Sequence, residues 1–163
     1  FPKPGGFGEG HNPDYRIYAK SLNELSWVQF EALCADLFLK EYGADSCHLT
    51  PVNDGGADVL LRSNDSIQLI QCKHTLRNAY EGYSAILEIM NAKIIYQDES
   101  GKKATKLIFI TNAKRVHSKA KTLAAKHGVE IIQFNGLNDL LEKHTVTLEM
   151  IIKRLSKKRF RAI

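Results

Sequence analysis

The sequence predicts an α/β domain in which a mixed central sheet is flanked by helices. Three observations favour this fold class. Two segments show the apolar spacing of long helices, the unbroken apolar run 106–111 is typical of a strand covered on both faces, and helical and strand patterns alternate over the second half of the chain. The predicted order is α-β-β-β-α-β-α-β-α-α, without an internal repeat. A chain of 163 residues is expected to form a single domain with its own apolar core.

The first predicted helix begins at a capping box. Ser26 and Gln29 have the spacing at which a hydroxyl and an amide satisfy each other's backbone N–H groups. Gly43 is expected to end this helix in a left-handed conformation. Glu31 lies at the edge of the apolar stripe of the helix, where an acid has no packing role. It therefore needs another explanation.

The most informative stretch of the chain covers residues 54–73. It opens with a Gly-Gly turn, and it predicts a strand over 57–62 and a second strand over 67–73. We expect the two strands to pair as a hairpin around residues 63–66, with Arg62 opposite Ile67.

That hairpin register determines which polar side chains lie together. The same register that pairs the ends of the hairpin also places Asp58 opposite Gln71. Because side chains alternate between the faces of a strand, Asp58, Gln71 and Lys73 are expected to project from one face. A carboxylate, an amide and an ammonium group on one face suit an oxygen-ligated cation and an anionic substrate.

The other predicted elements are read from the same apolar patterns and turn residues. The Gly/Pro-rich residues 1–20 are interpreted as a linker or N-terminal extension, and the domain as residues 21–163. The remaining elements are a strand over 46–52, a turn over 53–56, a helix over 79–96, a polar loop over 97–105, a helix over 116–126, a strand over 129–134, an Asn-Gly turn at 135–136, and helices over 137–143 and 146–158.

Composition narrows the function classes. A net charge of +5 and an isoelectric point near 9.1 favour polyanionic partners. The three cysteines form no CxxC pair, which favours buried thiols in a reducing, cytoplasmic compartment over a zinc site. No apolar run approaches the ~18 residues that a membrane span needs. Since the chain starts without an initiator Met, we expect it to be cut from a longer polypeptide or to begin with a cloning remnant.

Basic residues fall into three clusters. A charge run is ordinarily a solvated face, but a cluster that borders the site would contact nucleic-acid phosphates. The clusters are Lys102, Lys103 and Lys106; Lys114, Arg115, Lys119, Lys121 and Lys126; and residues 153–161.

Each polar residue of the predicted site also has an ordinary structural interpretation. Asp58 alone fits a strand entry after a glycine turn. Gln71 and Lys73 alone fit a solvated strand face, and Glu31 alone fits a helix-edge acid paired with a lysine. Taken together, however, the four residues favour a site, because four polar side chains are expected to converge and two of them are flanked by apolar neighbours.

These residues, with several others in the chain, resemble a known family. The matching residues are Phe30-Glu31, the run Asp54-Gly55-Gly56-Ala57-Asp58, Gln71-Cys72-Lys73, Ile110-Thr111, the helix carrying Ala120 and Ala124, and segment 129–141. In order and spacing they resemble the PD-(D/E)xK nuclease superfamily, and within it the Mrr-type restriction endonuclease domain. The resemblance covers about residues 22–142. It implies a restriction-endonuclease-like, three-layer α-β-α fold with a mixed central sheet.

The resemblance also implies a role for each residue. Asp58 would be the metal-binding carboxylate, and Gln71 the Mrr-type replacement for the acid more common at its position. Lys73 would orient the attacking water and stabilise charge on the phosphate. Glu31 and the main-chain carbonyl of Cys72 would complete the shell of an Mg²⁺ or Mn²⁺ cofactor.

The expected protein is a cytoplasmic hydrolase, namely a metal-dependent endonuclease domain that cleaves DNA. It would leave 5′-phosphate and 3′-hydroxyl ends and would have no membrane association. The resemblance further implies a homodimer, tethered to a separate recognition or sensor domain in a larger restriction or defence protein. Two alternatives stay open: a Holliday-junction-resolvase-like nuclease, and a catalytically silent nucleic-acid-binding module on the same fold.

Overall fold

A computed structural model describes residues 12–51, 56–157 and 159. The strands are β1 (Ser46–Leu49), β2 (Val59–Arg62), β3 (Ser66–Lys73), β4 (Ala79–Tyr80), β5 (Lys103–Thr111), β6 (Arg115–Val116) and β7 (Val129–Ile132). The helices are a 3₁₀ turn (Ala19–Glu24), α1 (Trp27–Tyr42), α2 (Ser84–Ser100), α3 (Ser118–His127), α4 (Phe134–Lys143) and α5 (Leu148–Ser156). Within the described ranges, none of these helices has both the length and the apolar character needed to cross a bilayer.

The central sheet is mixed, as predicted, with strand order β1-β2-β3-β5-β7. β1, β2 and β3 pair antiparallel, whereas β3, β5 and β7 pair parallel. The predicted hairpin register is confirmed, because Arg62 pairs with Ile67. The Asp58 N–H donates to the Ile70 carbonyl at 2.8 Å. Ile70 is already the partner of Val59, and the paired register ends there, so the predicted pairing of Asp58 with Gln71 stays a prediction.

Apolar side chains from both faces of the sheet are buried against helices, which produces three layers. On one face, Ile70 and Cys72 of β3 belong to a core cluster with residues of α1, α4 and α5. On the other face, Leu69 packs in a second cluster with residues of α2 and α3. Since side chains alternate along β3, Gln71 and Lys73 continue the face that α2 covers.

Helix α1 has the predicted caps at both ends. The Ser26 hydroxyl accepts from the Gln29 N–H and the Gln29 side chain accepts from the Ser26 N–H, at 3.2 and 3.1 Å. Such a cap stabilises a helix by about 1 kcal/mol. Gly43 ends α1 at φ 59°, and its N–H donates to the Leu39 carbonyl at 2.9 Å. The start of α1, which carries Glu31, is therefore fixed locally.

Several predicted boundaries are wrong. The polar loop predicted over 97–105 does not exist, because α2 continues to Ser100 and β5 begins at Lys103. Lys103 pairs with Ser66, so hydrogen bonding to β3 overrides the polar composition of this segment. The helix predicted over 79–96 begins only at Ser84, because Ala79 and Tyr80 pair with β6 instead.

The predicted Asn-Gly turn at 135–136 is also wrong, because both residues lie inside α4. A Cβ atom on Gly136 would meet the Ile132 side chain at 3.1 Å. The glycine therefore allows α4 to approach the end of β7 closely, which is a packing role that a turn pattern does not reveal.

The strand predicted over 46–52 ends at Leu49, and the turn predicted over 53–56 falls on residues of which only Gly56 is described.

At the start of the chain, residues 1–11 lie outside the described ranges. Ile17 is fully buried, and its N–H donates to the Val146 carbonyl at 2.9 Å. The division of the chain at residue 20 stays a prediction.

Candidate active site

The candidate residues meet at one end of the central sheet. Asp58 directly precedes β2 and Lys73 ends β3, and these strands are antiparallel, so both residues lie at the same edge. The parallel strand β5 ends there too, with Thr111 opposite Lys73. From the two helical layers, α1 contributes Glu31 and α2 contributes Glu88.

Asp58 is held by the backbone of β3. Its Oδ2 accepts the Cys72 N–H at 2.8 Å. Burial raises the pKa of Asp58, and the negative charge of Glu88 raises it further, whereas the Cys72 N–H and the Lys73 ammonium lower it. The side chain is thus fixed beside the end of β3, where a cation would stabilise its ionised form.

Gln71 has one satisfied end and one free end. Only 4 % of the residue is exposed, and its Nε2 donates to Glu88 Oε2 at 2.5 Å. Its carbonyl oxygen Oε1 is buried and has no hydrogen-bond partner among the described residues. A buried acceptor without a partner costs about 1–3 kcal/mol, which a ligand at that oxygen would offset.

Lys73 shares the same acceptor as Gln71. Its Nζ lies 3.2 Å from Glu88 Oε2, and a third of its side chain is exposed. Sequence reasoning missed Glu88 because residues 79–96 were interpreted only as an apolar helix. The available signal was an acid placed between Leu87 and Ile89 in the apolar part of that helix.

Glu31 is almost completely buried, with 6 % of the residue exposed. Its Oε1 lies 2.8 Å from Arg159 Nη1. Burial raises the pKa of Glu31 to about 7; the charge of Asp58 raises it as well, while Arg159 and Lys73 lower it. The acid on the edge of the α1 stripe therefore belongs to the same charged group as Asp58 and Lys73.

Arg159 is a second residue that sequence reasoning did not assign to the site, because it stood only as one member of a basic run. It follows α5 and also donates from Nη1 to the Thr50 carbonyl at 3.0 Å. Its guanidinium carbon lies 5.9 Å from the centre of the Trp27 ring. A sequence pattern cannot place a residue so distant in the chain beside Glu31.

The main chain and the side chain of Cys72 have different roles. Its N–H is hydrogen-bonded to Asp58, but its thiol lies on the opposite face, in the core with α1. Burial raises the pKa of the Cys72 thiol well above its usual range, and neighbouring Cys34 raises it further. A thiol that stays protonated is not a nucleophile, in agreement with the buried thiols predicted from the cysteine spacing.

The site fits an oxygen-preferring cation better than a metal that needs many side-chain ligands. Among the described residues, no three His, Cys, Asp or Glu side chains are grouped to hold one ion. The candidate set is instead two carboxylates, Glu31 and Asp58, with the unpartnered carbonyl oxygen of Gln71. Mg²⁺ suits such a set because it binds few protein oxygens and keeps several waters.

The basic clusters differ in their distance from the site. Lys103 pairs with Ser66 at the far end of β3, so the cluster at 102–106 lies at the opposite edge of the sheet. In the second cluster, Lys119 Nζ lies 4.5 Å from the centre of the Tyr83 ring, at the start of α2. In the third cluster, Arg159 Nη1 lies 2.8 Å from Glu31 Oε1. Lys119 and Arg159 are therefore on the side of the sheet where the candidate site lies.

A mixed sheet between helical layers, with acidic, amide and ammonium groups gathered at the strand ends, is the architecture of a nuclease of the restriction endonuclease class. The family model Mrr_cat, described as restriction endonuclease, matches residues 22–141, which is well over half of the chain. The chain belongs to this family. The resemblance and the restriction-endonuclease-like fold predicted from the sequence are thereby confirmed.

One solved structure shares the fold. It is a crystal structure described as a protein of unknown function, AF1548, with a TM-score of 0.57 and 20% sequence identity. The match covers 71% of this chain and 66% of that chain, just under two thirds of its length. No curated protein matches the sequence.

Proposed function

We propose that this domain is a metal-dependent endonuclease that hydrolyses phosphodiester bonds in DNA, with Glu31, Asp58, Gln71 and Lys73 as its site. The observation that carries the proposal is the carbonyl oxygen of Gln71. It is buried and has no partner among the described residues, and the N–H of the next residue, Cys72, donates to Asp58 at 2.8 Å. Membership of the restriction endonuclease family supports the same reaction class.

Asp58, Glu31 and Gln71 Oε1 would hold Mg²⁺ or Mn²⁺, with the main-chain carbonyl of Cys72 as a further ligand. When bound, such a cation supplies positive charge to a phosphate oxygen and acidifies bound water. The chain supports this role in two ways. The Cys72 N–H fixes the orientation of Asp58, and a cation favours the ionised forms of the two buried carboxyls.

Lys73 would act on the phosphate itself. Its ammonium is partly exposed at the sheet edge, where it would stabilise the charge that develops on the phosphate oxygens and orient the attacking water. Attack at phosphorus with departure of the 3′ oxygen leaves 5′-phosphate and 3′-hydroxyl ends. Glu88, 3.2 Å away, restricts where the ammonium lies before substrate binds.

DNA would be held mainly through its phosphates. The net charge of +5 favours a polyanion, and Lys119 of α3, which lies over the Tyr83 ring at the start of α2, is on the side of the sheet that carries the site. Two strands would be cut by a homodimer. We further propose a cytoplasmic protein in which this domain is the effector part of a larger restriction or defence protein, with recognition in a separate domain.

The test is a cleavage assay on the 163-residue chain with plasmid, branched DNA and RNA, in Mg²⁺, Mn²⁺ or EDTA. The variants are Asp58→Asn and Lys73→Ala, and the matched control is Asp98→Asn, an exposed carboxylate on α2. We expect metal-dependent plasmid nicking that both site variants lose by at least about 100-fold and the control retains.

The alternatives are separate outcomes of the same assay. Cleavage that survives both site substitutions would overturn the site, and DNA binding without cleavage in any metal would favour the silent module. Preference for the branched substrate would favour a junction-resolving nuclease.

A further inference from the structure

We infer that Glu88 is the positioning residue of the candidate metal site: it supplies the negative charge that Gln71 lacks and turns the Gln71 carbonyl oxygen towards the cation. This inference rests on the proposed function. It concerns a residue of α2 that lies outside the four-residue site described above, and it explains how a neutral amide can stand among metal ligands.

The first step is the orientation of the amide. The two ends of a Gln side chain have nearly the same shape, but only the carbonyl oxygen is a metal ligand. A carboxylate accepts hydrogen bonds and donates none, so Glu88 Oε2 at 2.5 Å selects the Nε2 end of Gln71. The rotated amide would place two acceptors against each other. The carboxylate therefore leaves Oε1 at the free end, buried and without a partner among the described residues.

The second step is charge. A neutral amide at position 71 leaves the site one negative charge short of a set with an acid there. Glu88 restores that charge one hydrogen bond away from the amide. A divalent cation would gain from the same charge.

The third step is how the backbone fixes the position of Glu88. Gly56, at φ 109°, lies directly on α2, where a Cβ atom would collide with the main chain of Glu88, its carbonyl oxygen first. The segment that leads into Asp58 therefore touches the helix at the residue that holds Gln71. This contact sets the spacing between the two parts of the site without any side chain.

The fourth step is that Glu88 acts on two site residues at once. Lys73 Nζ lies 3.2 Å from the same oxygen that accepts from Gln71. Because one carboxylate fixes both groups, the amide that would bind the cation and the ammonium that would bind the phosphate keep a constant position relative to each other. Groups that orient metal ligands typically change metal affinity by about 10–100-fold when they are removed.

The experiment measures Mn²⁺ affinity of the 163-residue chain by calorimetry and by electron paramagnetic resonance, without substrate. It compares wild type with Glu88→Gln, Gln71→Glu and the exchanged pair Gln71→Glu/Glu88→Gln. The exchanged pair keeps a carboxylate and an amide in hydrogen-bond contact but moves the charge onto position 71. Asp98→Asn on the same helix is the control, and circular dichroism checks folding.

We expect Glu88→Gln to weaken Mn²⁺ binding by about 10-fold or more, and the exchanged pair to return it to within about 3-fold of wild type. The control should bind like wild type. Unchanged affinity in Glu88→Gln would overturn the positioning role while leaving the proposed nuclease intact. An exchanged pair as weak as the single variant would overturn the charge account. A wild-type chain that binds no Mn²⁺ would overturn both proposals.

Discussion

Arg159 Nη1 lies 2.8 Å from Glu31 Oε1, which places a guanidinium on one of the two carboxylates assigned to the metal. The same guanidinium donates to the Thr50 carbonyl, so it is held from two sides. Arg159 lies beyond residues 22–141, the part of the chain that matches the family. The segment after α5 thus brings an extra positive charge to the site.

We expect Arg159→Gln to strengthen Mn²⁺ binding by about 3–10-fold, because it removes a cation that competes for Glu31; this corresponds to about 1 kcal/mol in the free energy of binding. The measurement is Mn²⁺ calorimetry at pH 8.5, above the pKa of about 7 that Glu31 has in the intact chain. Lys153→Gln, which breaks an exposed pair with Glu149, is the control. Weaker binding in Arg159→Gln would instead mean that the guanidinium supports the ligand.

The raised pKa of Glu31 makes stability depend on pH. A folded-state pKa of about 7, against an ordinary value of 4.5, means that the folded chain holds a proton which the unfolded chain releases. The held proton stabilises the folded chain. Its contribution to the free energy of unfolding is fully present below about pH 4.5, is lost as pH rises through about 7, and is at most about 3 kcal/mol.

We therefore expect the metal-free domain to become less stable from pH 5 to pH 8, and Glu31→Gln to flatten that dependence. Thermal unfolding in EDTA across this range measures it. Glu149→Gln, at an exposed site, should keep the wild-type slope. Equal slopes for wild type and Glu31→Gln would contradict the assignment. In the same range, Mn²⁺ affinity should rise with pH, since the metal binds the ionised carboxylate.

Gly56→Ala tests the contact between the Asp58 segment and α2. A methyl group there meets the Glu88 backbone, and the positive φ of 109° also disfavours any side chain. We expect a loss of about 2–4 kcal/mol in the free energy of unfolding, measured with urea. Gly101→Ala is the matched control, because it shares a positive φ but a Cβ there would meet nothing within 4 Å. Equal losses would show that conformation alone matters at Gly56.

A buried ion pair anchors α5 to α1. Arg154 Nε lies 2.8 Å from Asp36 Oδ1, and the two side chains are only 10 % and 8 % exposed. Arg154→Met leaves Asp36 buried without its partner, so we expect a loss of about 3 kcal/mol in urea unfolding. Lys153→Met, next in the chain but in an exposed pair, should change stability by less than about 0.5 kcal/mol. A loss below 1 kcal/mol at Arg154 would contradict the buried pair.

Much of the fold follows from local patterns. The capping box at Ser26, the left-handed stop at Gly43 and the hairpin register are short-range features, and all three predictions are confirmed. The errors arise where pairing or packing outweighs local preference. Polar residues at the start of β5 join the sheet because β3 offers them hydrogen bonds, and Gly136 lies inside α4, where it keeps the tight contact with Ile132 free of a Cβ atom.

The candidate site likewise contains residues that local patterns predict and residues that only the structure brings to it. Strand alternation alone predicts that Asp58, Gln71 and Lys73 share a face, since they are close in the chain and the hairpin fixes their register. Their catalytic roles stay a prediction, as does the role of Glu31. Arg159 was missed because its significance depends on a distance across layers, which no local pattern encodes. For Glu88 the acid between Leu87 and Ile89 was a local signal, but its partners on β3 are known only from the packing of layers.

The sequence by itself determined the fold class, the family and the polar face of the hairpin, because these depend on spacing along one or two neighbouring segments. Only the tertiary structure decided which charges meet that face. Packing of α2 on the sheet brings Glu88 to Gln71 and Lys73, and the segment after α5 brings Arg159 to Glu31. The residues in these contacts are 15 to 128 positions apart in the chain. They meet only because the helical layers pack on the sheet, and the apolar core of the folded domain fixes that packing.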